Sequence, residues 1–100
     1  MTYQDKIKQS KKVLEAIHGL KDDESIVVTY GKTFKGEPKE FSIRAYKAYN
    51  DEMSYSIWNS FQGMNIDKIG KTTMRGYTYD MMSQKTTWTF PLYEMNIINK

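Results

Sequence analysis

Residues 77–90 read YTYDMMSQKTTWTF, four aromatic rings and two methionines in fourteen positions around the polar pair Ser83 and Gln84. Placing Met81 opposite Thr86 sets Tyr79 against Trp88 and Tyr77 against Phe90. All four rings then share one face, and Thr78, Asp80, Thr87 and Thr89 share the other, the division of a half-buried hairpin. That face has two readings: the core beneath a helix, or a surface made to be touched. The core is the expected one, because a single amphipathic helix must cover something apolar. On that reading partner contacts fall to flanking positions, Arg44 and Tyr46 on an earlier hairpin and Arg75 and Lys85 near the ends of this one. On the alternative, Tyr77, Tyr79, Trp88 and Phe90 form a platform on which bases stack, with Arg75 and either Lys71 or Lys85 near enough to meet phosphates.

The helix is legible at the N-terminus. Tyr3, Ile7, Ser10, Leu14 and Ile17 recur at intervals of four and three, with Val13 and Leu20 beside them, while Lys6, Lys8, Lys11, Lys12 and Glu15 fall outside the stripe. Thr2 with Asp5 three residues later matches a capping box with Asp in place of Glu, and Gly19 suits a left-handed terminating position. Leu14 and Ile17 are the expected centre of the buried stripe.

Between helix and closing hairpin, SIVVTYGKTFKGEPKEFSIRAYKAY (25–49) alternates on both sides of Lys35-Gly36-Glu37-Pro38. With Phe34 opposite Lys39, residues Ile26, Val28 and Tyr30 lie against Lys47, Ala45 and Ile43 on the face of Phe41. Thr29, Thr33, Glu40, Ser42, Arg44 and Tyr46 take the other face. The run from 50 to 63 fits two templates. As a strand it places Met53, Tyr55, Ile57 and Phe61 on one face; as a helix, Asn50 caps it, Met53, Ile57, Phe61 and Met64 line up, and Gly63 ends it. Its Ser, Tyr, Ile, Trp and Phe content favours the strand. Residues 62–71 read as a connection. Beyond Pro91 the alternation changes phase to Tyr93, Met95 and Ile97, which implies a kink at the proline.

One α+β domain over residues 1–100 follows: an N-terminal amphipathic helix packed on a four- to five-stranded antiparallel sheet or small curled barrel. One hundred residues suit a single core, and 39% hydrophobic residues with fourteen aromatics exclude a disordered polyampholyte. No run approaches the roughly 18 apolar residues of a membrane span, and the start MTYQDKIKQSKK is polar, so a cytoplasmic location is expected. Without cysteine there is no disulfide framework, thiolate zinc site or cysteine nucleophile. A net charge of +3 permits a nucleic acid partner without requiring one.

Catalytic signals are weak. His18, the sole histidine, falls at the end of the helix, where it suits the dipole and has no nucleophile or carboxylate at a meaningful spacing. KDDES (21–25) lacks the alternating oxygen ligands and glycine of a calcium loop and reads as an acidic turn. No enzyme activity, metal or cofactor is expected. The expected function is a small protein-binding module acting on a larger protein, an inhibitor or accessory factor. The excess of lysine over arginine, thirteen to two, fits an AT-rich source such as a phage or mobile element. Binding of single-stranded DNA or RNA is the alternative, and a homodimer is compatible with the surplus of apolar faces.

Overall fold

The computed structural model describes residues 1–59 and 62–99. Helix α1 (Tyr3–His18) is followed by β1 (Ser25–Lys32), β2 (Pro38–Lys47), β3 (Met53–Trp58), β4 (Gly63–Ile69), β5 (Thr73–Tyr79), β6 (Lys85–Pro91), a 3-10 turn (Leu92–Glu94) and β7 (Asn96–Asn99). The strands form one antiparallel sheet in the order β6-β5-β4-β3-β2-β1-β7, curled into a half-barrel. There are thus seven strands among the described residues, where four or five were expected.

Both additional strands lie where the alternation is broken. Residues 63–69, read from sequence as a connection, form β4, whose period is interrupted by a bulge between Ile66 and Lys68. Asp67 is the extra residue there, which returns Ile69 to the face of Met64 and Ile66 although the strict alternation of the sequence puts it on the other. β7 follows the kink after Pro91. The chain turns at Leu92–Glu94, and β7 then pairs with β1 at the far end of the sheet order. Residues 53–58 are strand, and Met53, Tyr55 and Ile57 share a face as the strand reading requires; Phe61 lies outside the described residues.

Three of the connecting turns share one design. In Thr33–Glu37, Ala48–Glu52 and Asp80–Gln84 the fourth residue donates its N–H to the carbonyl of the first, at 2.9, 3.0 and 3.0 Å. That fourth residue, Gly36, Asp51 or Ser83, is left-handed at φ +85°, +65° and +61°. The first residue's N–H then reaches the fifth residue's carbonyl, at 2.7, 2.8 and 3.1 Å. This is a type I turn closed by a left-handed residue, the three-residue hairpin connection. Side chains reinforce two of them from the first position: Thr33 Oγ1 accepts from Lys35 N and Glu37 N, and Asp80 Oδ1 accepts from Met82 N and Gln84 N at 2.8 and 2.9 Å.

These turns set the registers. In β1–β2, Ile26 pairs with Ile43 and Val28 with Phe41, four positions from the expected partners. The turn accounts for three of these steps, as Lys32 opposite Pro38 shows, and a bulge between Thr29 and Lys32 adds the fourth. Beyond the bulge the even displacement leaves the side chains on their expected faces, so Ile26, Val28, Phe41, Ile43 and Ala45 are all buried. In β5–β6 the displacement is three. Tyr79 pairs with Lys85, Tyr77 with Thr87, Gly76 with Trp88 and Met74 with Phe90. An odd displacement moves one strand's side chains to the opposite face. Tyr77 and Tyr79 therefore lie on the convex side and Trp88 and Phe90 on the concave side, not together as the sequence reading had them.

Twist explains where the core lies. Neighbouring strands rotate by roughly 20–25°, so five steps carry β6 through about 100–125° relative to β1. Phe90 thereby crosses over Tyr30 and Phe41, with ring centroids 6.1 and 6.2 Å away. Val13 and Ile17 of α1 enter the same cluster with Ile26, Val28, Ile43, Ile57, Met74, Leu92 and Met95. The helix lies closest to the 3-10 turn, and Lys6 sits 5.0 Å above the Tyr93 ring.

The Thr2–Asp5 capping box is present in both directions, at 3.2 and 3.3 Å. Gly19, in contrast, is right-handed at φ −81°, ψ −8°. Lack of room accounts for it better than handedness, since a Cβ there would lie 3.1 Å from the Glu15 carbonyl oxygen. The buried stripe is Ser10, Val13 and Ile17, with Leu14 half-buried at its margin. Ser10 Oγ is fully enclosed without a hydrogen-bond partner. Ser10→Ala is therefore expected to stabilise the protein by about 1 kcal/mol, through loss of an unsatisfied hydroxyl and gain of helix propensity. Thermal melting should show a rise of about 4–8 °C; a fall would mean that the hydroxyl is serving a partner.

Candidate interaction surface

The β5–β6 hairpin is a buried root carrying an exposed arm. At the root, Met74 and Phe90 are 0% and 6% exposed. Gly76 is buried opposite Trp88, and a Cβ on it would sit 3.4 Å from both Phe90 Cε2 and the Asn65 carbonyl. Further out the core ends: residues 79–89 are all exposed, with Trp88 at 47%, Tyr79 at 59%, and Met82 and Met81 at 82% and 103%. The bonds from Asp80 fix the shape of the turn that displays the two methionines.

The convex face is built from the outward positions of the central strands. Successive pairings align Arg44, Ser56, Asn65, Tyr77 and Thr87 in one row across β2 to β6. A second row runs through Ser42, Trp58 and Gly63, and the same register brings Tyr79 and Lys85 into it. Trp58 lies flat across β4: a Cβ on Gly63 would be 2.3–2.5 Å from its six-membered ring. Its indole N–H donates to Ser56 Oγ at 3.0 Å, which holds the ring down while leaving it half exposed. Tyr77 and Tyr79 meet edge to face at 5.8 Å, and Lys85 Nζ stands 4.6 Å above Tyr77.

Of the cations singled out from sequence, Arg44, Arg75 and Lys85 are on this face but engaged, while Lys71 lies in the β4–β5 turn. Arg75 Nε and Nη2 donate to the two oxygens of Asp67 at 3.0 and 3.1 Å, and Lys85 Nζ is 4.0 Å from the same carboxylate. The Arg75 hydrogen bonds hold the Asp67 carboxyl below its ordinary range; burial opposes this, and the Arg75 and Lys85 charges assist it. The same hydrogen bonds raise Arg75 above its usual value, with the Asp67 charge assisting. Arg44 pairs with Asp23, the left-handed residue of the acidic turn; that turn also clamps β2 through Lys47 N to Asp22 Oδ1 at 2.9 Å. Tyr46 is half-buried on the convex face, opposite Ser54. Of the four rings expected on one platform, Phe90 is in the core, Trp88 is on the concave side, and only Tyr77 and Tyr79 are together.

Trp58 and Asp67 were missed as members of this surface. The signal for Trp58 was Gly63 five residues later, since a glycine beside a large aromatic in a hairpin leaves space for the ring. Asp67 gave none, because its bulge is visible only in the pairing. His18 is exposed and its ring meets Tyr55 edge-on at 6.3 Å. Among the described residues no group of three or more His, Asp or Glu side chains could hold a metal ion, and no helix is long and apolar enough to cross a membrane. Comparison of the chain with protein-family models, curated proteins and solved structures returns no match.

Proposed function

We propose that the chain is a small non-catalytic protein-binding module that uses the β5–β6 arm to dock onto a larger protein. The observation carrying this reading is the pair Met81 and Met82, almost fully exposed on a turn held in shape by Asp80. Methionine side chains adapt to irregular apolar pockets, and aromatic residues and methionine are enriched at protein interfaces. Trp88 and Tyr79 stand on opposite faces behind the tip, so an enclosing groove would contact both. An inhibitor or accessory factor of a phage or mobile element is one form of this activity, in keeping with the lysine-rich composition. The four-ring platform of the nucleic-acid alternative loses its basis, because its rings point to two faces.

A photo-crosslinker at position 81, compared with one at Tyr49, which is equally exposed in another turn, tests the reading. Position 81 should yield a discrete adduct in source lysate and position 49 should not. The double variant Met81→Ser/Met82→Ser should keep the parent melting point and lose at least about tenfold in affinity for the adduct protein, the scale of one hot-spot residue. Equal capture at both positions, or unchanged affinity of the double variant, would overturn it.

A further inference from the structure

We infer that the convex face around Trp58 is a second site, separate from the arm's tip, that binds single-stranded nucleic acid. A tryptophan lying flat with one face open presents an aromatic plane to solvent, and this one is pre-positioned. Gly63 leaves the space beneath it, and Ser56 Oγ takes its N–H. Tyr79 lies in the same row two strands away, about 10 Å between backbones, with Gly63 between them. Tyr77 is one step along β5. Three rings thus share the convex face, two of them half exposed or more, and stacking on such rings tolerates any base.

Charge complementarity selects the occupant. Around these rings Lys68, Arg75 and Lys85 outnumber Asp67 and Glu40, and Lys68 is exposed opposite Arg75 in the register, leaving an excess of one positive charge on the face, Arg44 being paired with Asp23. Asp67 holds Arg75 in a fixed orientation without cancelling the patch. Asn65, Thr87 and Thr89 add neutral hydrogen-bonding groups on the same face. Aromatic planes interleaved with a modest cationic excess match the stacked bases and spaced phosphates of a single strand; the convex curvature offers no groove for a duplex.

The probe is a labelled oligothymidine of about 12 nucleotides, within the usual footprint of such sheet surfaces, followed by fluorescence anisotropy. Trp58→Ala should keep the fold, the residue being half exposed, and weaken binding about tenfold. Gly63→Ala should weaken it comparably by tilting the Trp58 ring, although it removes no contact group. Raising salt fourfold, from about 50 to about 200 mM, should weaken parent binding about sevenfold if two cations meet phosphates. In Trp88→Phe, where Trp58 is the sole tryptophan, the oligonucleotide should quench the emission. Met81→Ser/Met82→Ser should bind like the parent, which separates this site from the docking arm. No anisotropy change at about 50 mM salt, equal binding of a duplex, or indifference to both Trp58→Ala and Gly63→Ala would overturn the inference. Loss of the arm's protein partner in Trp58→Ala without any oligonucleotide binding would overturn it too, and would assign the face to that protein.

Discussion

Phe90→Ala is expected to destabilise the protein by about 3–5 kcal/mol, the usual cost of removing a buried phenylalanine ring, while Trp88→Ala two residues away leaves the fold standing. Phe90 is 6% exposed and touches Tyr30 and Phe41 at ring-centroid distances near 6 Å. Its loss leaves a cavity where β6 crosses β1 and β2, at the contact that keeps the sheet curled. Trp88 is on the same face, but 47% of it is in water and the arm beyond it is exposed. Against a typical total of about 5–15 kcal/mol, the first variant is marginal. Its melting point should fall by at least about 12 °C, and that of Trp88→Ala by only a few degrees. Equal shifts would mean that the arm packs more tightly than its exposure indicates.

The second large effect is in the helix. Ile17→Ala should cost about 2–5 kcal/mol, because the side chain is wholly buried among the sheet's concave residues. Leu14→Ala should cost less than half as much, since Leu14 is half-buried at the edge of the stripe. Urea unfolding of the two variants gives the comparison directly, with an unchanged slope indicating that only stability has moved. A larger effect at Leu14 would rotate the helix by one position relative to the packing described above. Because α1 and the 3-10 turn cover the concave core together, Ile17→Ala should also speed amide exchange in β1 and β7 before β4.

The contrast between the two hairpins shows how far local pattern reaches. In β1–β2 the expected pairing was displaced by four residues, yet the apolar set remained intact, because strand side chains alternate with period two. In β5–β6 a displacement of three residues separated Tyr77 and Tyr79 from Trp88 and Phe90. Both hairpins close on the same three-residue turn, which displaces each pairing by three; in β1–β2 a bulge between Thr29 and Lys32 adds a fourth step and restores even parity, whereas β5–β6 has no such bulge. Asp80 captures two backbone N–H groups and Ser83 accepts a left-handed conformation, which makes the connection a three-residue loop in place of the four-residue one implied by setting Met81 opposite Thr86. An Asp opening a turn is a readable signal, but a left-handed serine is not an obvious one.

From sequence alone came the properties that depend on neighbours along the chain. These are the capped helix and its apolar stripe, the face division of β1 and β2, the strand character of 53–58, the break at Pro91, and the lack of any cysteine. Tertiary structure decided what depends on partners far away in the chain. β4 exists because β3 and β5 supply its ladder despite an irregular pattern, and β7 because the chain returns beside β1. Which rings of residues 77–90 are hidden was settled by a turn's residue count and by the sheet's accumulated twist. The count chose the face, and the twist carried Phe90 onto Tyr30 while leaving Trp88 and the methionines beyond the edge of the core.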